Sequence, residues 1–123
     1  MAFNEAEYEK QGEVCQVMYL AYKDCEFEGN VFPRKDGGFD LYLMRDNSIL
    51  ECLEIEVITW LRKQAEAQGG DLVFVERFST PKNVRDMKNQ VETRFAAWLQ
   101  SNLRLPSGGK FKARWEEGLR PCV

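Results

Sequence analysis

Three carboxylates have the spacing in this chain best suited to chemistry: Asp40, Glu54 and Glu56. If residues 49–57 are extended, Glu54 and Glu56 share one strand face, because side chains two apart point the same way. Asp40, on the neighbouring hairpin arm, then converges with them. Oxygen ligands so arranged suit Mg²⁺ or Mn²⁺, and a metal held there polarises a phosphate and activates water. The plainer reading is a solvated face of an amphipathic hairpin, or the first turn of a helix. The plainer reading is the expected one, so no metal, cofactor or catalytic residue is assigned.

The second candidate is the C-terminal stretch. Ser107-Gly108-Gly109-Lys110 places backbone N–H groups and a lysine in one loop, a concavity able to hold an anion. If residues 110–116 are extended, Lys110, Lys112 and Arg114 share a face. Phe111 or Trp115 can stack on a base or nucleotide. Gly108-Gly109-Lys110-Phe111 is not a phosphate-binding Walker loop, which needs a hydroxyl after the lysine and a strand-to-helix setting. The plainer alternative is an edge strand guarded by lysines against aggregation. Ser107, Gly108, Gly109, Lys110, Lys112, Arg114 and Trp115 form the expected anion- or partner-binding set.

The acidic pattern also resembles the PD-(D/E)xK nucleases, in which a strand carries an Asp and its hairpin partner a Glu-x-Lys. The resemblance spans residues 4–78 and extends to the order of elements. It implies a metal-dependent phosphodiesterase using Asp40, Glu54 and Glu56. Here Glu56 occupies the lysine position, and Phe39 rather than proline precedes Asp40.

Other chemistry is bounded by composition. The 123 residues contain no histidine, the most frequent general base and transition-metal ligand. Ser-His and Cys-His nucleophilic mechanisms are thereby excluded. Charge divides unevenly. Residues 1–78 hold 8 Lys and Arg against 16 Asp and Glu, whereas residues 79–123 hold 9 against 4. A basic end on an acidic body suits docking against an oppositely charged surface, including that of a second copy.

The four cysteines, Cys15, Cys25, Cys52 and Cys122, include no C-x-x-C pair. The opening residues Met1-Ala2-Phe3-Asn4-Glu5 lack a hydrophobic signal region, and no apolar run reaches the roughly 18 residues of a membrane span. Reduced thiols in a cytoplasmic, non-membrane protein are therefore expected, with no thiolate zinc site.

The elements that must position these residues follow from periodicity. Asn4 and Glu7 suggest a short first helix over 4–11, interrupted at Gly12. Residues 13–23 read as a buried strand, although Val14, Val17, Met18 and Ala21 also fit a helical stripe. Residues 28–38 carry the turn chemistry of a loop, residues 39–45 read as a strand, and Asp46-Asn47 as a turn. Residues 48–68 fit a helix capped by Ser48 and Glu51, or a strand. The expected form is mixed: strand 49–57, then helix 58–68, since Ile55, Val57, Ile58 and Thr59 are β-branched. Gly69-Gly70 stops that helix.

Residues 71–78 read as a strand. Thr80 caps a helix with Pro81 at its first position, running to about Asn102. Its apolar stripe is Val84, Met87, Val91, Phe95, Trp98 and Leu99, with Arg85, Lys88 and Arg94 on the polar side. The order α-β-β-β-α-β-α-tail predicts a two-layer α+β domain, a mainly antiparallel sheet packed on two or three helices. Residues 1–105 form the domain; residues 106–123 form a basic tail or edge strand packed on it.

The expected function is that of a small non-catalytic interaction protein, of adaptor or inhibitor type. It binds another macromolecule or pairs with itself through complementary acidic and basic surfaces. The alternatives are nucleotide or nucleic-acid binding by the tail, and the metal-dependent nuclease.

Overall fold

The computed structural model describes residues 5–8 and 16–116. A 3-10 turn at Glu5–Glu7 is followed by β1 (Gln16–Tyr22), β2 (Cys25–Pro33), β3 (Phe39–Leu50), α1 (Ile55–Ala67), β4 (Leu72–Phe78), α2 (Val84–Leu103) and β5 (Lys112–Glu116). The five strands form one antiparallel sheet in the order β4-β3-β2-β1-β5. Both helices pack on one face of it, giving an α+β architecture of two layers. No described helix is long and apolar enough to cross a membrane.

Period-two alternation builds the strand side of the core. Met18, Leu20, Phe27, Leu41, Leu43 and Val73 point toward the helices and are buried. From the helices, Val57, Leu61 and Ala65 of α1 meet them, spaced four apart on one face. From α2 come Met87, Val91, Phe95, Leu99 and Leu103. Gly29 belongs to this packing. A Cβ there would lie 2.9 Å from Phe95 Cε2, so the absent side chain lets the helix aromatic close on the β2 backbone.

Several expectations are corrected. Residues 28–33 are strand rather than loop. Gly29 serves close packing, Asn30 donates to Glu28 Oε2 at 2.9 Å, and Pro33 is the last strand residue, where a missing N–H is tolerated. The turn is confined to Lys35-Asp36-Gly37, with Gly37 at φ 98°. Asp46-Asn47 does not end β3. The ladder steps from Glu28↔Met44 to Glu26↔Ile49, so these residues form an irregular bulge within it. Ser48 secures the bulge: its Oγ donates to Met44 O at 2.8 Å and accepts from Glu28 N at 3.0 Å.

The strand expected over 49–57 ends at Leu50, and α1 begins at Ile55. Burial of Val57 outweighs the weak helix preference of the β-branched run. Asn83, not Thr80, caps α2, its Oδ1 accepting from Asp86 N at 2.8 Å. Trp98 is half-buried, whereas Phe95 and Leu99 are fully buried. Near the N-terminus, Glu5–Glu7 is a 3-10 turn and Tyr8 bridges to Arg34. The rest of the helix expected over 4–11, like Gly12, lies outside the described residues.

Cys25 and Cys52 are joined by a disulfide, contrary to the expected free thiols. Cys25 is paired with Leu50 across the β2–β3 ladder, and the turn after β3 folds Cys52 back upon it, with 5.4 Å between the Cα atoms. The link spans 27 residues, so replacing both cysteines by serine should lower stability by about 2–4 kcal/mol. Chemical denaturation of the two forms checks this. Equal midpoints would contradict it.

Candidate functional site

Of the first sequence candidate only Asp40 lies in the sheet, on β3, whereas the second candidate ends in the outer strand β5. Asp40 lies in β3 on the face away from the helices and is fully buried. It meets cations rather than other acids. Its Oδ1 accepts from Arg34 Nη1 at 2.6 Å and Arg77 Nε at 3.1 Å. Its Oδ2 accepts from Tyr8 OH at 2.6 Å and Arg77 Nη2 at 3.0 Å. Glu54 is the N-cap of α1 and Glu56 lies in its first turn, both exposed. The three acids therefore do not form the strand-face triad. Among the described residues, no three Asp, Glu or Cys side chains gather in a way that could hold a metal. The favourable helix dipole accounts for Glu56 where it stands.

The Asp40 network ties four chain segments together. Arg34 also donates to Phe39 O at 2.8 Å and Phe78 O at 3.0 Å, linking the β2–β3 turn to the end of β4. Gly38 leaves room for it, since a Cβ there would lie 2.2 Å from Arg34 Nη2. Arg77 reaches Glu7 Oε2 at 2.5 Å. Hydrogen bonds from Arg77 to Asp40 and Glu7 hold its guanidinium more firmly protonated. Asp36, at the turn, is held below the usual carboxylate range by the Gly38 amide and Arg34.

Two tyrosines complete the network, their hydroxyls 2.8 Å apart. Burial and the hydrogen bond to Asp40 push the Tyr8 hydroxyl far above its ordinary pKa. Burial pushes Tyr42 up as well. For a phenol whose pKa is raised by folding, the unfolded chain releases its proton first. The contribution is thus intact below about pH 10 and is lost above it. Thermal unfolding should show a decline in melting temperature above that pH, smaller in Tyr8→Phe. A decline of equal slope in both proteins would contradict this assignment.

The basic stretch divides into a loop and a strand. In the loop, Gly109 N donates to Tyr22 OH at 3.2 Å, and Tyr22 OH donates to Pro106 O. A Cβ on Gly109 would strike the Tyr22 ring at 2.5 Å, so glycine seats the loop on that tyrosine. The Gly109 amide is consequently occupied, and the anion cradle read from the sequence lacks that donor. Lys23, in the β1–β2 turn, brings Nζ to 3.8 Å from where a Gly108 Cβ would stand.

β5 is an outer strand of the sheet, pairing with β1 from Lys112↔Ala21 to Glu116↔Val17. No described strand pairs with its other side. Arg114 projects from the face away from the helices, 4.3 Å above the Tyr19 ring and 3.8 Å from Glu26 Oε1. Glu116 shares that face, accepting from Tyr19 OH at 3.0 Å. Trp115 points to the helix side, its indole N–H donating to Glu92 Oε2 at 2.8 Å with Lys88 Nζ 5.2 Å from the ring centroid. Lys110 and Lys112 are exposed. Lys112 and Arg114 thus share the face expected from alternation, while Lys110 precedes the strand.

Sequence reasoning missed a third feature, a cleft of about 280 Å³ where α1, α2 and β4 meet. Trp60 and Trp98 lie on it with ring centroids 6.3 Å apart, beside the amides of Gln64, Gln68 and Asn102. Its signal was the half-exposed tryptophan on each helix, legible only after the helices are placed side by side. No protein-family model, curated protein or solved structure matches this chain.

Proposed function

We propose that this chain is a small non-catalytic interaction protein that docks an extended, carboxylate-bearing segment along β5. The carrying observation is that β5 combines an outer backbone edge with exposed cations, Lys112 and Arg114, next to Lys110 and Lys23. An extended segment laid against such an edge gains main-chain hydrogen bonds, and carboxylates on it meet the lysines. The Tyr22 contacts hold the preceding loop, Ser107 to Lys110, at the same end of the strand. Because Gly109 is already bonded there, the proposed contact uses side-chain charge and the strand edge more than the loop amides. Trp115 is fixed from behind by Glu92 and supplies a rigid apolar flank.

A labelled peptide of alternating Glu and Val, followed by fluorescence anisotropy, tests the reading. Binding should weaken as salt rises, since screening acts over about 8 Å at physiological ionic strength. Replacing Lys110, Lys112 and Arg114 together by Glu should weaken it tenfold or more, each contact contributing on the order of 1 kcal/mol. Retained affinity in a folded triple variant would overturn the proposal.

A further inference from the structure

We infer that the occupant of the β5 edge is a second copy of this chain, its β5 running antiparallel about a two-fold axis at Arg114; this rests on β5 being the docking edge. The strand Lys112-Ala113-Arg114-Trp115-Glu116 is complementary to itself in that register. Lys112 faces Glu116 of the second copy, and Glu116 faces Lys112 of the second copy. Opposite charges directly across an antiparallel pair stabilise it, and the two-fold supplies the pair twice. Ala113 faces Trp115 of the second copy on the helix side, the small residue leaving room for the indole.

Neighbouring registers fit less well. A pairing that keeps both helix layers on one side of the joint sheet shifts by two residues at a time. Centring on Ala113 sets Lys112 against Arg114 of the second copy twice, like-charge contacts that offset the Lys110–Glu116 pairs the same register makes. Centring on Trp115 engages only Arg114, Trp115 and Glu116 of β5. Centring on Arg114 pairs all five strand residues. The two Arg114 side chains then face each other at the axis. Each guanidinium is drawn inboard, lying over its own Tyr19 ring and near its own Glu26. The product is closed: one antiparallel sheet runs through both copies, and each β5 edge is consumed.

Charge exchange tests this pairing. Light scattering coupled to size-exclusion chromatography, over a concentration series, should show a monomer–dimer equilibrium for the native chain. Lys112→Glu and Glu116→Lys should each weaken dimerisation by about tenfold or more, because each turns two attractive pairs into two repulsive ones. An equal mixture of the two variants should dimerise again, since both pairs between positions 112 and 116 are then of opposite sign. The double variant Lys112→Glu/Glu116→Lys should dimerise as well. Recovery in the mixture also shows that both single variants fold. Native-like dimerisation of the single variants, or a mixture no better than its components, overturns the self-pairing. A native chain that is monomeric throughout yet binds the Glu-Val peptide overturns the self-pairing and leaves the docking edge standing. Loss of peptide binding and dimer together from the native chain overturns both.

Discussion

Asp40→Ala should lower the free energy of unfolding by about 3–5 kcal/mol, the cost of stranding a buried charge after removing its partner. Asp40 has no exposed surface and accepts hydrogen bonds from Arg34, Arg77 and Tyr8. Arg34 is itself nearly buried, so its guanidinium would keep the Phe39 and Phe78 carbonyls and the exposed Asp36 but lose its buried counter-charge. Arg77 is half-exposed and can turn to water, which is why the cost falls chiefly through Arg34. Urea denaturation measures the change. A loss below about 1 kcal/mol would place Asp40 among solvated surface ion pairs.

Phe95→Ala should cost about 3–5 kcal/mol, the usual range for deleting a large buried aromatic side chain. Phe95 is fully buried at the centre of the α2 stripe and closes directly on Gly29 of β2. Little can collapse into the space, because one wall is strand backbone. The denaturation midpoint reads the loss. A value near that of the native chain would mean that α2 does not pack through this face. The half-buried Trp98, on the rim of the α1–α2 cleft, should cost less than Phe95 when replaced by alanine.

Much of this fold is legible in the residues. Alternation marks β4 and β5, and the four-residue spacing of Met87, Val91, Phe95 and Leu99 marks α2. Errors cluster where local chemistry and tertiary packing disagree. Gly29, Asn30 and Pro33 look like loop residues one at a time. Gly29 is explained by the remote Phe95, Asn30 by its hydrogen bond to Glu28 on the same strand face, and Pro33 by its place at the strand end. Asp46 and Asn47 look like a turn because a bulge uses the same residue types. Ile55 to Thr59 look extended because β-branching is a local preference, whereas Val57 is buried by contacts far along the chain.

The candidate site was legible to a different degree. The period-two placement of Lys112 and Arg114, and of Trp115 opposite them, could be read from residues 110–116. The outer position of β5 beside β1 could not, since strand order is set by pairings across about ninety residues. Asp40 was singled out as an acid able to hold a metal. Its guanidinium partners, Arg34 and Arg77, lie in segments that only the antiparallel register brings to it.

Amide hydrogen exchange of Lys112–Glu116, followed by NMR as protein concentration rises and again with the Glu-Val peptide, tests the central claim most directly. Pairing at the outer edge of β5 protects those amides that do not already face β1. The account predicts that alternate β5 amides slow on association, that the Lys110, Lys112 and Arg114 triple reversal removes the protection, and that amides of β4 are unchanged. Association that leaves β5 exchange unaltered, or that protects β4 instead, would contradict it.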